Sequence, residues 1–266
     1  MSLDQLIAVL WSLTTALAIV TGCYLVERLS PFERDPGVSA RIESLVLFLL
    51  NAVLLAGLSP IISDLVVRLP SLNLLAHVSA IDWLPAVAKT AALIFIYALV
   101  WDFFQYWVHR AEHEYGFLWR LHRTHHDDLN MTSATAIRQS VGGSLIGVIG
   151  VHLPAVCILG YSGLPYIGGL ILFSAWGYYN HANVNMPLPA LEGFVSGPNV
   201  HRLHHSHAVH LRGCNLAAFF TFYDRLFGTF VAPPRHERLS TRSPRPEPFG
   251  LRRVVWSWLS LGRDSD

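Results

Sequence analysis

Long stretches without charge constrain the fold of this chain more than any other feature of its sequence. Residues 6–26 carry no charged side chain, and residues 44–62 and 86–108 are almost as apolar. About 20 apolar residues suffice for a helix to cross the hydrocarbon core of a bilayer. Because backbone groups in lipid need partners within their own segment, such runs form helices. The sequence therefore predicts an all-α fold, an integral membrane helical bundle.

The composition agrees with a membrane protein and argues against several other classes. Charged residues make up 14% of the chain, whereas soluble proteins carry about 25%. A formal net charge of +1 does not favour a nucleic-acid partner. The three cysteines are widely spaced and form no CxxC pair, so neither a disulfide framework nor an iron–sulfur cluster is expected. The sequence contains no glycine-rich nucleotide-binding loop.

The other apolar residues predict a hairpin at residues 141–180. Its two arms, 141–160 and 166–179, flank a turn with Gly163 and Pro165. Each arm is short for a full span, so the hairpin either crosses the membrane or re-enters it. The first apolar run has no basic residue before it, unlike a cleaved signal peptide, so we expect a retained anchor.

The basic residues predict the orientation in the membrane. With the histidine clusters placed on one side, all of the 19 basic residues except Arg68 and Lys89 lie on that side. The positive-inside rule makes it cytoplasmic. The expected topology has the N-terminus outside, five crossings, and the histidine-rich lobe and the C-terminus in the cytoplasm.

Histidines recur at helical spacing in the second half of the chain. Side chains at i, i+3 and i+4 share one face of a helix, so one HxxxH and two HxxHH motifs make three clusters, with a ninth histidine between them. The nine are His109, His113, His122, His125, His126, His181, His201, His204 and His205. Imidazole suits iron, zinc, copper and nickel, and a structural zinc needs four ligands. The set is too large for one metal ion and predicts two.

The motifs occur in a fixed order: HRAEH at residues 109–113, LHRTHH at 121–126, HAN at 181–183, NVHRLHHS at 199–206 and YDRLFGT at 223–229. This set, within residues 97–231, resembles the fatty acid hydroxylase / sterol desaturase superfamily. The resemblance implies an O2-dependent di-iron membrane enzyme that hydroxylates or desaturates a lipid acyl chain or sterol-like substrate. It implies that the nine histidines bind two iron ions. It also implies a separate electron donor, a ferredoxin or a cytochrome b-type protein.

The chain departs from the family pattern at two places. Where members often carry an Arg-x-His-Pro segment, this chain has Arg138, Gln139 and Ser140. Where some have a second histidine four residues after the first, it has Asn185 after His181. Asn185 is therefore a candidate to replace a ligand or to bind through water.

Carboxylates near the clusters suggest supporting roles. Asp102 lies two helical turns before His109 and is expected to orient a ligand histidine through its other ring N–H, with a simple interfacial carboxylate as the alternative. For Asp224 the sequence favours two roles equally: it either orients a ligand histidine or forms an ion pair with Arg225. Glu112 and Glu114 are expected to face away from the histidine face.

The expected organisation is a membrane anchor at residues 1–96, a catalytic segment at 97–231, and a cytoplasmic tail at 232–266. A short interfacial helix is expected at 254–261 of that tail. The alternative function is a non-redox zinc-binding membrane protein, either a hydrolase or a metal-handling protein. A zinc hydrolase would usually show an HExxH motif or a carboxylate base within the cluster, and a transporter would place its ligands in mid-span.

Overall fold

The computed structural model describes residues 2–80, 83, 85–128, 130–160, 163–184, 191–234, 241 and 250–259. This part of the chain is helical, with isolated bridges but no β-strand. In chain order the helices are α1 Leu3–Leu29, α2 Val38–Arg68, α3 Leu74–Ser79, α4 Ala86–Glu114, α5 Gly116–His126, α6 Val141–Gly147, α7 Leu153–Leu159, α8 Gly163–His181, α9 Pro198–His204, α10 Thr221–Phe227 and α11 Leu251–Leu259. The prediction of an all-α bundle is confirmed.

Four helices of the described chain are long and apolar enough to cross a membrane: α1, α2, α4 and the continuous helix Val141–Leu159, in which a π-helical turn joins α6 to α7. The protein is an integral membrane protein. The second arm of the predicted hairpin forms α8, which has 19 residues but is not among these four. The five-crossing topology therefore stays a prediction.

Ion pairs hold together the polar junction between α1 and α2. The guanidinium of Arg41 lies 2.6 Å from Glu27 and 2.6 Å from Asp35. Burial of a charged group costs free energy because the group loses its hydration. The buried charges of Arg41 and Glu27 are therefore stable only as a pair. With these pairs formed, α1 continues to Leu29 and α2 begins at Val38. The charged residues that follow the first apolar run and precede the second thus lie partly within the two helices.

Helices α4 and α8 approach each other closely at Gly169. A Cβ atom at this position would overlap the ring of Tyr97, which is buried on α4. Beside it, the rings of Trp101 and Phe173 lie 4.1 Å apart between centroids. This packing fixes the ends of the two helices relative to each other, and both ends carry histidines.

Helix α4 also runs through residue 97, where the sequence predicts a domain boundary. The division of the chain into an anchor, a catalytic segment and a tail stays a prediction.

The C-terminal helix α11 packs against α2. The indole Nε1 of Trp258 donates to the side-chain oxygen of Asn51 at 3.0 Å. The guanidinium of Arg253 lies 2.9 Å from Glu43. The helix predicted at residues 254–261 thus forms three residues earlier and contacts the protein, and its relation to the membrane interface stays a prediction.

Candidate metal centre

Four helices place the nine histidines of the predicted set. His109 and His113 lie one turn apart at the end of α4, and the HxxHH motif of residues 122–126 forms the last turn of α5. His181 is the last residue of α8. Helix α9 carries His201 and His204, and His205 follows it directly. The HxxxH and HxxHH spacings thus become helical turns, as predicted.

The nine histidines form two groups. One contains His109, His113, His122, His126 and His204, and the other contains His125, His181, His201 and His205. Within each group, one ring nitrogen from every member lies within 4.8 Å of those of the others. Each HxxHH motif contributes to both groups, since neighbouring residues on a helix point in different directions. The groups therefore lie side by side, and the rings of His126 and His205 stack at 4.3 Å between centroids.

Hydrogen bonds at Nδ1 orient five of these rings. Nδ1–H donates to a backbone carbonyl in His109 (Leu216, 2.7 Å), His125 (Arg138, 3.3 Å), His181 (Gly177, 2.7 Å) and His204 (Cys214, 2.9 Å), and to the Glu112 carboxylate in His122 (3.2 Å). A donor at Nδ1 fixes the tautomer and leaves a lone pair at Nε2. Five of the rings are therefore set to accept a cation at Nε2.

The inner nitrogens of both groups lack suitable protein partners. Nε2 atoms face each other at 3.1 Å in the pairs His109–His122 and His125–His181, although each already carries its proton on Nδ1. In the described chain, Nε2 of His113, His204 and His205 is buried with no hydrogen-bond partner. Lone pairs converging on a common centre fit a metal ion, and a set made of imidazoles alone fits iron, zinc, copper or nickel.

Burial keeps the histidines of α5 and α9 neutral. It lowers the pKa of His122, His125, His126, His201, His204 and His205 well below the ordinary value, with neighbouring histidines adding to the effect. Neutral imidazole is the form that binds a metal. The fold therefore presents these rings in the state that coordination requires.

Glu112 does not face away from the histidines, and that prediction is wrong. Its buried carboxylate lies 3.2 Å from Nδ1 of His122. Glu112 is three residues after His109 on α4, so the two side chains are neighbours on the surface of the helix. The i+3 spacing could have placed Glu112 beside the histidine face, although not its contact with His122. Glu114 is exposed and pairs with Arg110 at 2.7 Å.

Asp102 and Asp224 act on the backbone rather than on a histidine ring. The Asp102 carboxylate accepts N–H bonds from Ala218, Phe219 and Phe220, so the predicted contact with a ligand ring is wrong. Asp224 accepts from the N–H groups of Leu216 and Ala217 and from the Thr229 hydroxyl. It does not pair with Arg225, whose Nε–H donates to the Gly193 carbonyl.

These bonds hold the segment 215–220 against α4. Because the Leu216 carbonyl accepts from His109, both carboxylates position that ring indirectly. Burial raises the pKa of Asp224, and its three hydrogen-bond donors oppose this effect.

The two departures from the family pattern have different outcomes. Arg138 is fully buried, and its carbonyl orients His125 while its guanidinium pairs with Glu43 at 2.7 Å. The segment that lacks the family's histidine thus supports the site through its backbone. Asn185 lies outside the described residues.

A cavity of about 600 Å³ reaches the two histidine groups. Its walls include His109, His122, His125, His181 and His201. Trp11 of α1 and Phe48 of α2 also line it, and Trp11 is 70% exposed. Gln105 and Asn180 also line it, and no sequence pattern marks these two beyond their closeness to motif histidines. The cavity joins the centre to the surface of the membrane helices.

The sequence model of the fatty acid hydroxylase family matches residues 94–229, just over half of the chain. The chain is 32% identical to alkylglycerol monooxygenase of Xenopus tropicalis over 171 residues, 60% of this chain and 37% of that protein. It is 28% identical to ornithine lipid hydroxylase OlsE of Rhizobium tropici over 242 residues, 85% of this chain and 69% of that protein. With methylsterol monooxygenase 1-3 of Arabidopsis thaliana it shares 26% identity over 188 residues, 65% of this chain and 60% of that protein.

The chain spans about a third of the length of the alkylglycerol monooxygenases that it matches, 37% for that of Xenopus tropicalis and 29% for that of Homo sapiens. No solved structure matches it significantly. The family match covers the helices and loops that bring the two histidine groups together. The chain therefore belongs to the fatty acid hydroxylase family.

Proposed function

We propose that the nine histidines bind two iron ions and that the protein is a lipid oxygenase, which uses O2 to hydroxylate or desaturate an unactivated C–H bond. The observation that carries this proposal is the division of the nine rings into two adjoining groups, each with nitrogens aimed at one centre. The bound iron would supply the activation of O2 that such a bond requires.

The chain's own residues position the metals and exclude water. Backbone carbonyls and Glu112 orient the rings from outside, so that the ligand geometry is set before a metal binds. Eight of the nine histidines are buried, which keeps bulk water from the centre. A dry cavity protects a strongly oxidising reaction from side reactions with solvent.

The substrate proposed is a membrane lipid that enters from the bilayer. The names of the relatives specify alkylglycerols, an ornithine lipid and methylsterols. The cavity supports the same class here, because it is lined by Trp11 and Phe48 and opens beside α1, a membrane-spanning helix. A lipid can reach the histidines from there without crossing the aqueous phase.

The electron donor proposed is a separate ferredoxin or cytochrome b-type protein. We place the histidine groups and the C-terminus in the cytoplasm. The support for this side is the charge distribution, since Arg68 and Lys89 are the two basic residues on the opposite side of the predicted topology. A cytoplasmic centre would be accessible to a soluble or membrane-bound reductase.

Metal analysis combined with a turnover assay tests the proposal. Protein purified without added metal is expected to hold about two iron ions per chain. With a reductant and O2, it is expected to oxidise a lipid and to consume O2 in proportion to product. Full activity without iron would reject the di-iron proposal. Zinc alone, with lipid hydrolysis and no O2 uptake, would favour the zinc-protein alternative.

A further inference from the structure

The group of five histidines comes nearest to the outside of the protein at His113. Of the nine histidines it is the one that is not buried, and it lies in the last turn of α4. About 20 helical residues suffice to cross the hydrocarbon core, and α4 has 29. Its last turns therefore extend beyond the lipid if the helix enters at its first residue. His113 marks the point where the centre approaches the aqueous side of the membrane.

One aromatic side chain covers His113 from that side. The ring of Trp119, on α5, lies 5.2 Å from the ring of His113 and 5.3 Å from that of His126, between centroids. Trp119 is itself partly exposed, and Tyr115, one turn earlier, is 62% exposed. Trp119 thus reaches from the protein surface to two histidines of one group.

Arginines flank this aromatic surface. Arg120 follows Trp119 and is exposed, and Arg212 is exposed just before Gly213. A Cβ atom at Gly213 would lie 4.0 Å from that of His113. The segment that carries Arg212 therefore passes beside the same histidine that Trp119 covers.

The exposed carboxylates of this region have arginine partners of their own. Glu114 lies 2.7 Å from Arg110, and Asp127 lies 3.8 Å from Arg123. Arg212 forms no ion pair within the described part of the chain. Its positive charge is therefore available to a partner with an acidic face.

We propose that the surface formed by Tyr115, Trp119, Arg120 and Arg212 is the docking site of the electron donor. The partner is a small one-electron carrier protein with acidic residues around its redox group. Electron transfer between proteins slows steeply with distance, so the carrier must reach the surface closest to the centre. It passes one electron to the proposed iron, which changes from ferric to ferrous, and no bond forms or breaks.

The size of the surface fits this kind of partner. Complexes of electron-transfer proteins are weak and bury less than about 1,200 Å², so a few exposed aromatic and basic side chains suffice. Complementary charge mainly speeds their encounter. The inference rests on the proposed oxygenase function, because only a redox centre needs such a donor.

Binding to metal-depleted protein tests the surface without any turnover. The probes are a plant-type ferredoxin and an acidic, soluble b-type cytochrome, one for each proposed class of donor. At low salt, at least one is expected to bind the native protein in lipid nanodiscs, as measured by surface plasmon resonance. Arg212→Glu should weaken that binding about tenfold, and the difference should shrink as the ionic strength rises.

Arg225→Glu is the matched control for charge. Arg225 is also exposed, but it lies on α10, with its guanidinium 3.8 Å from the ring centre of Phe230 and its Nε–H donating to the Gly193 carbonyl. This variant should bind the carrier like the native protein. Equal weakening in both variants, or no binding of either probe to the native protein, overturns the docking site.

Trp119→Leu tests the contact with the histidines. Ferric protein is mixed with the reduced carrier or with dithionite, and the loss of each reductant is followed by its own absorbance. The second-order rate constant with the carrier is expected to fall about tenfold, the loss of a central aromatic contact. The rate with dithionite, which is small and needs no docking surface, should stay the same.

Trp107→Leu is the matched control for the aromatic ring. Trp107 is 41% exposed on α4 and packs on Phe227 at 4.8 Å between centroids. It should keep the native rates with both reductants. Equal losses with carrier and dithionite in Trp119→Leu overturn its role in docking. A native protein that binds the carrier but oxidises no lipid when loaded with iron refutes the proposed function instead.

Discussion

Glu112 shows how one buried carboxylate can orient a histidine of the proposed metal centre. Its contact with Nδ1 of His122 orients the ring and increases the basicity of the opposite nitrogen. Loss of such a partner typically costs about 10- to 100-fold in metal affinity or activity. We expect Glu112→Ala to lower iron affinity by that factor, measured by titrating the metal-depleted protein with Fe²⁺.

Glu114 provides the control for this prediction. It lies two residues away on the same helix, but it is exposed and pairs with Arg110. Glu114→Ala should leave iron affinity nearly unchanged. Equal losses in the two variants would show that the effect is a general one of charge on α4.

His204 and His205 are neighbours that belong to different groups. Removal of His204 leaves four histidines in its group, whereas removal of His205 leaves three in the other. A group of four histidines can still satisfy a metal ion, but a group of three leaves a coordination position open. We therefore expect His205→Ala to lose about one iron per chain and His204→Ala to retain more, as measured by elemental analysis.

His207 serves as the control for both variants. It is exposed and lies outside the two groups. His207→Ala should keep the native iron content. If His204→Ala and His205→Ala lost iron equally, the division into five and four ligands would be contradicted.

At the scale of helices, the close contact between α4 and α8 has no room for a side chain at Gly169. A methyl group there would overlap the buried ring of Tyr97. Overpacking of this kind costs about 1–3 kcal/mol. Gly169→Ala is expected to lower the thermal unfolding temperature in detergent. Gly22→Ala on α1, where a Cβ meets no atom within 4 Å, should not lower it.

Glu43 connects three elements by charge. It lies on α2 and pairs with Arg138 of the segment after α5 and with Arg253 of α11. Arg138 and Glu43 are 0% and 3% exposed at their side chains. Burial lowers the pKa of Arg138, but the nearby carboxylates of Asp128 and Glu43 outweigh this and raise it overall. The guanidinium therefore stays charged in the folded protein.

Removal of Glu43 would leave this cation buried without its closest partner. Breaking a buried pair in this way costs about 3–5 kcal/mol. We expect Glu43→Ala to lower the thermal stability strongly and to reduce iron content, since Arg138 also orients His125. Asp64→Ala breaks an exposed pair with Arg68, which is worth about 0–1 kcal/mol. Similar losses in the two variants would contradict the role of burial.

At the scale of the whole molecule, the first two helices do more than anchor the chain. Helices α1 and α2 line the cavity through residues such as Trp11 and Phe48. Their junction also reaches the centre, because Glu33 lies 2.8 Å from Arg202, which stands between two histidines of α9. The predicted anchor therefore lines the cavity that reaches the histidines and supports α9.

The proposed orientation can be tested on the intact protein. With the histidine side in the cytoplasm, a tag after residue 266 should resist protease added to right-side-out cells and become cleavable after the membrane is opened. A tag before residue 1 should be cleaved in intact cells. Cleavage of the C-terminal tag in intact cells would reverse the topology.

Local sequence patterns predicted the helices and the nine histidines. Uncharged runs long enough to cross a bilayer imply helices whatever the neighbours are. Histidines at i, i+3 and i+4 share a helical face by geometry alone. The helices of the HxxxH and HxxHH motifs could therefore be assigned without knowledge of the fold. The apolar runs do not mark the ends of the helices, because charged residues such as Glu27 and Arg41 lie outside those runs and are still helical.

The sequence by itself thus determined an all-helical membrane protein of a histidine-rich family, since these properties depend on residues close together in the chain. Only the tertiary structure decided how nine histidines divide into two groups, how Glu112 reaches His122 and why Asp102 binds a backbone segment. These contacts join residues up to more than 100 positions apart, as in Asp102 and Phe220. Their geometry depends on the packing of whole helices, which no local spacing specifies.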